Sequence, residues 1–231
     1  MKKQKSMQIS LAFILMASAI LACNQFAATP TVTLEPSITE VEESLDPDAG
    51  SWGMGDSLYP EFGNGGYDVT HYTLDITVND VATSNLTAIT TIEANVIQDL
   101  SGFNLDFIGF EVTSITVNEQ PADFDRASQE LTITPSTPLA ENESFTVEVQ
   151  YNGSPDAMQS AALPVQTGWV TVEGGSFVLS EPDGSASYYP VNDHPLDKAS
   201  YTFRVTVPEP FEVAANGVLT EIIDNGDTRT F

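Results

Sequence analysis

An all-β fold, a sandwich or a barrel, is predicted for residues 55–231, and three observations predict it. Apolar residues recur at every second position along many short runs. Val, Ile, Thr, Phe and Tyr fill those runs, and these side chains suit a pleated, half-buried strand. Clusters of Gly, Pro, Asn and Asp interrupt them at intervals of about ten residues. No convincing amphipathic helix of ten residues is present.

The strands follow in order. "YTLDITV" (72–78) places Tyr72, Leu74, Ile76 and Val78 on one face. "LTAITTIEANV" (86–96) alternates through Leu86, Ala88, Thr90, Ile92, Ala94 and Val96. "ELTITP", "SFTVEVQYNG", "SFVLSEP" and "SYTFRVTVP" repeat the two-residue period. Turns fall at "NEQPAD", "PSTPLAENE", "NGSPD", "EGG", "EPDG", "ANG" and "DNGD". "IIDNGDTRTF" reads as a hairpin closed by Asn225-Gly226, its second strand barely begun at Phe231.

The N-terminus is an address. Lys2, Lys3 and Lys5 precede an apolar run from Ile9 to Ala22, which makes residues 1–22 a signal peptide. The run is shorter than the roughly 20 residues a spanning helix needs. It ends in "ILAC", which resembles a bacterial lipobox. That resemblance makes Cys23 the lipidated first residue of the mature chain and places the protein on the extracytoplasmic side of a bacterial cell envelope. Its lipids provide the two-signal anchoring that stable attachment requires. Residues 23–54 then form a linker rich in Thr, Pro and Glu, read as a disordered, extended tether.

Composition excludes several functions. The chain holds 33 acidic and 7 basic residues, for a net charge of −26, and three of the basic ones lie in the signal peptide. Nucleic acid is therefore no partner, because it requires a basic patch. Cys23 is the sole cysteine, so neither a disulfide framework nor a cysteine-ligated zinc site is available.

"YYPVNDHPLDKASY" (188–201) gathers Asp193, His194, Asp197 and Lys198. It has the look of an active site. His194, however, has no partner at a metal-ligand spacing, and the other histidine, His71, lies in the first strand. Ser200, His194 and Asp197 form a nucleophilic triad only on paper, because no nucleophile elbow accompanies them. Asn192 and Asp193 suit turns and helix caps, and Pro195 suits the start of a helical turn. The residues alone read as a capped turn feeding a strand.

"EPDGSASYYPVNDHPLDKASYTFRVTVPEPFEVAANGVL" nonetheless resembles the N-terminal domain of the aminopeptidase N family of zinc metallopeptidases (gluzincins). The matching features are Glu181, Tyr189-Pro190, Asp193-His194-Pro195, Lys198-Ala199, "YTFRVTVP" and Ala215-Asn216-Gly217. "GDSLYPEFGNGGYDVTHYTLDI" (55–76) is similar to bacterial members. The resemblance covers residues 55–231. It implies a curved, saddle-like antiparallel β-sandwich that stands before a thermolysin-like zinc domain.

The same resemblance sets the functional expectations. The family's "GxMEN" and "HExxH" motifs do not occur in this sequence. The chain is thus expected to hold no catalytic residue, no metal ligand and no cofactor of its own, and to be inactive alone. Zinc belongs to the catalytic domain, its partner in cis or as a separate chain. The family's Gln-x-Glu element aligns with Leu179, Ser180 and Glu181, so Glu181 is the residue implied to bind the α-amine of peptide N-termini. Leu179 departs from the family's glutamine. The remaining partner is the lipid bilayer, through Cys23. A different reading is a stand-alone cell-surface binding or adhesion module on the same sandwich. The two differ in one visible respect: a domain that docks a catalytic partner leaves a large apolar face exposed in its C-terminal half.

Overall fold

The computed structural model describes residues 50, 51 and 53–231; residues 1–22, read above as a signal peptide, Cys23 and most of the expected linker lie outside them. In chain order the strands are β1 (Tyr67–Asp80), β2 (Asn85–Val96), β3 (Phe103–Asp106), β4 (Glu111–Val117) and β5 (Gln120–Pro121). Then come β6 (Asp123–Ala127), β7 (Glu130–Thr134), β8 (Ser144–Gly153), β9 (Met158–Gln159), β10 (Gln166–Val172) and β11 (Gly175–Leu179). A 3₁₀ turn, Ser185–Ser187, precedes β12 (Ser200–Pro208), β13 (Ile223–Asp224) and β14 (Thr228–Thr230). The all-β expectation holds, and these elements form an eight-stranded sheet and two three-stranded ones.

The large sheet runs in the order β13-β14-β12-β1-β2-β8-β4-β5. Its inner face is the alternation read in the sequence. Leu86, Ala88, Thr90, Ile92, Ala94 and Val96 of β2 are all buried, as are Phe145, Val147, Val149 and Tyr151 of β8. β1 begins earlier than its alternation suggests. Tyr67 and Val69 point inward, a bulge between Val69 and His71 shifts the phase, and Tyr72, Leu74 and Ile76 continue on the same face. One pairing departs from the antiparallel pattern: β12 lies parallel to β1, from His71 opposite Ser200 to Thr77 opposite Thr206. Periodicity carries no strand direction, and a long crossover permits the parallel arrangement.

The sheet β3-β7-β6 covers that inner face. Phe103, Leu105, Leu131 and Ile133 fill the interface from its side. Rings of the two sheets meet edge to face, Tyr67 against Phe103 at 5.7 Å and Phe103 against Phe145 at 5.3 Å. The third sheet, β11-β10-β9, is much more exposed. Two turns bear out their sequence signals. Asn118 (φ 50°) and Glu119 (φ 65°) join β4 to β5 with both central residues left-handed. Asn225 and Gly226 close the β13–β14 hairpin, where the Asn225 N–H donates to the Thr228 carbonyl at 2.9 Å.

Candidate functional site

The segment carrying Glu181 leaves β11 at Leu179, whose ladder partner on β10 is Gly168. It returns to the same strand within a few residues. Gly184 (φ 122°) packs so closely on β10 that a Cβ there would lie 2.6 Å from the Gly168 nitrogen. Only glycine fits both that angle and that space. The loop of residues 180–183 is therefore anchored at both ends to one strand, and Glu181 is exposed within it.

Side chains fasten the return. Asp183 is buried, and its two oxygens accept the Ser160 hydroxyl at 2.6 Å and the Ala161 N–H at 2.8 Å. Ser187 Oγ donates to the Gly184 carbonyl at 2.9 Å and accepts the Trp169 N–H at 3.0 Å. Asp193 Oδ2 accepts the N–H groups of Gly184 (3.0 Å) and Ala186 (3.2 Å). Asp193 was expected to cap the turn that follows it. It instead satisfies the start of the 3₁₀ turn that precedes it.

The rest of "YYPVNDHPLDKASY" is a clasp. Asn192 Oδ1 accepts the Asn64 N–H at 2.6 Å, and its Nδ2 donates to the Asn64 carbonyl at 3.1 Å and to Asp197. The Asn192 N–H donates to the Tyr72 hydroxyl. Asp197 Oδ1 accepts the Val69 N–H at 3.3 Å. His194 is buried; its Nδ1 accepts the Leu196 N–H and its Nε2 pairs with Asp56. The accepting Nδ1 leaves the ring proton on Nε2, the nitrogen that faces Asp56. Ser200 bonds His71 Nδ1 at 2.7 Å and the Thr70 carbonyl, so no triad with His194 forms. The Asp197 N–H donates to the His194 carbonyl, which makes 194–197 a tight turn with Pro195 second, as the proline suggested.

Buried carboxyls underlie the clasp. Asp106 Oδ2 accepts the Asp193 N–H at 2.9 Å, and Asp106 Oδ1 accepts the Gln129 amide. Burial pushes Asp106 and Asp193 each up to about 7, and Asp197 up to about 6. Each holds its proton more tightly folded than at its ordinary value of 3.8. Their stabilising contribution is complete below that value and is lost as pH rises through 6 to 7. The urea midpoint is therefore expected to fall between about pH 5 and about pH 8, with Asp106→Asn flattening the fall. A midpoint that rises over this range would contradict the assignment.

Exposed apolar side chains are distributed unevenly. Twelve of the sixteen large exposed hydrophobics among the described residues lie at Leu163 or beyond. They include Phe177 (52% exposed) and Leu179 (45%) on β11 and Val218 (87%) after it. They lie on several elements, among them β11, β12 and residues 218–223, and single exposed apolar residues are ordinary. Among the described residues no group of three or more His, Cys, Asp or Glu side chains could hold a metal. They supply no zinc site, and no described helix is long and apolar enough to cross a membrane.

Residues 68–231 match the family model for the peptidase M1 N-terminal domain. Among solved structures, the M1 zinc metallopeptidase from Deinococcus radiodurans is 34% identical, with a TM-score of 0.71. A mutant of that enzyme bound to a Tyr-Ser-Ala substrate gives the same values. So does a two-domain M1 zinc metallopeptidase mutant bound to L-arginine. In each case the match covers 77% of this chain and 41% of the other, so the chain spans less than half the length of the structures it resembles. No curated protein matches. Fold and sequence together define the class, a β-sandwich found as one part of a zinc metallopeptidase. The chain belongs to the M1 peptidase family, of which residues 68–231 are the N-terminal domain.

Proposed function

We propose that this chain is the N-terminal part of a secreted, lipid-anchored zinc aminopeptidase, and that it contributes Glu181 to recognition of the substrate's free α-amine. The observation that carries the reading is the Glu181 loop. Its carboxylate is solvent-exposed, while the residues behind it are held by Asp183, Gly184 and Asp193. A fixed, exposed carboxylate suits an ammonium group, through a charge-assisted hydrogen bond. The apolar side chains of β11 and of residues 218–223 suit a covering domain, and the zinc domain is the occupant that family membership supplies.

The chain alone is expected to release no p-nitroaniline from alanyl-p-nitroanilide. Joined to its zinc domain it releases it, and a chelator abolishes the release. Chelator-sensitive hydrolysis by the purified chain alone would overturn the assignment. Residues 1–22 act as the signal peptide, 23–54 as the lipidated linker and 55–231 as the sandwich, which places the enzyme on the outer side of a bacterial membrane. Labelled palmitate is expected to enter the parent chain and not a Cys23→Ser variant; equal labelling of the two would refute the anchor.

A further inference from the structure

We propose that Asp193 is the positioning residue for Glu181: its carboxylate, bonded to the N–H groups of Gly184 and Ala186, fixes the loop that aims Glu181 at the substrate. This rests on the reading that Glu181 meets the substrate amine.

The geometry separates Asp193 from the other fastenings. Asp183 ties the loop outward, to the Ser160 hydroxyl and the Ala161 N–H beside the peripheral strand β9. Asp193 ties it inward. Its own N–H donates to Asp106 Oδ2, and Asp106 belongs to β3, whose neighbours Phe103 and Leu105 lie in the core between the sheets. The Asp106 N–H and carbonyl both bond Val191, two residues before Asp193. Asp193 thus connects the packed core, through one carboxylate oxygen, to two N–H groups at the start of the 3₁₀ turn that follows Glu181. Gly184 is the first residue after the crest, so the bond to its N–H acts three residues from the Glu181 carboxylate. Holding a reacting or binding group through a residue locked behind it is how a site keeps its geometry.

The test uses the chain joined to its zinc domain, with alanyl-p-nitroanilide as the probe substrate. Four proteins are compared: the parent, Glu181→Ala, Asp193→Ala and the double variant. Asp193→Ala removes the one oxygen that accepts both the Gly184 and the Ala186 N–H. It is expected to raise KM about 10- to 100-fold, the scale of an ångström of misplacement, with kcat and zinc content close to the parent's. The double variant is expected to be no worse than Glu181→Ala alone, because a positioning residue has nothing left to position. Hydrogen exchange should show the Gly184 and Ala186 amides opening in Asp193→Ala while the β2 and β8 amides stay protected.

A parent-like KM for Asp193→Ala beside a raised KM for Glu181→Ala overturns the positioning role and leaves the reading of Glu181 intact. A parent-like KM for Glu181→Ala overturns that reading first. Additive losses in the double variant also reject positioning. Where Asp193→Ala does not fold, Asp193→Ser replaces it; if neither folds, Asp193 is a folding residue and the proposal fails.

Discussion

Asn192→Ala is expected to destabilise the domain by about 3–5 kcal/mol, a large effect for one loop amide. The side chain is buried and makes three hydrogen bonds. Truncation leaves the Asn64 N–H, the Asn64 carbonyl and one Asp197 oxygen without the partner each now has. An unsatisfied buried polar group costs about 1–3 kcal/mol, more when charged, and partial access of water lowers the sum. The loss also loosens the segment before β1, which is then held by the bonds of Asn64 Nδ2 to Asp106 and of the Ile97 N–H to the Gly66 carbonyl. Urea unfolding should show a lower midpoint with little change in slope. A loss below about 1 kcal/mol, within the range of an ordinary surface substitution, would show that the clasp does not hold the segment.

The clasp also explains why two distant stretches of sequence carry the family resemblance together. "GNGG" and "VNDHP" are pressed against each other. Gly63 (φ 62°) has no room for a side chain, since a Cβ would lie 2.6 Å from Asn192 Oδ1 and 2.7 Å from the His194 Cβ. Neither stretch makes sense alone. Reading "YYPVNDHPLDKASY" by itself yields a capped turn that feeds a strand. It cannot show that His194 pairs with Asp56, or that Asp193 satisfies a turn before it, because those partners are set by tertiary contact.

The same boundary runs through the fold. β2 was legible because its six inward residues alternate without interruption and all are buried. β6, "DFDRA", is exposed along its whole length, so burial leaves no pattern in it. β4 holds a bulge between Val112 and Ser114, which breaks the alternation that would reveal it. β3 has only four residues, too few for a period. Glu181 was named through resemblance alone. No local signal separates it from the other acidic residues of a chain with 33 of them. The property that distinguishes it, an exposed carboxylate on a doubly anchored loop, exists only once β10, β11 and Asp193 are in place.

That property sets the scale of the second large effect. In the chain joined to its zinc domain, Glu181→Ala is expected to raise KM for an amino-acyl substrate about 10- to 150-fold. A hydrogen bond to a charged group contributes roughly 1.5–3 kcal/mol, and each 1.4 kcal/mol is a factor of ten. The loop is anchored at both ends, so little ordering is required on binding and little of the interaction is spent on it. The α-amine keeps its charge through hydrolysis of the adjoining bond, so Glu181 would bind it alike in ground and transition states, and uniform binding of that kind moves KM rather than kcat. Glu181→Gln keeps the shape and removes the charge, so it should fall between the alanine variant and the parent. If Glu181→Gln matches the parent, the contact is a neutral hydrogen bond and the electrostatic account fails. If Glu181→Ala leaves KM unchanged, the loop does not meet the substrate, and its rigidity belongs to the seam between the sandwich and the small sheet.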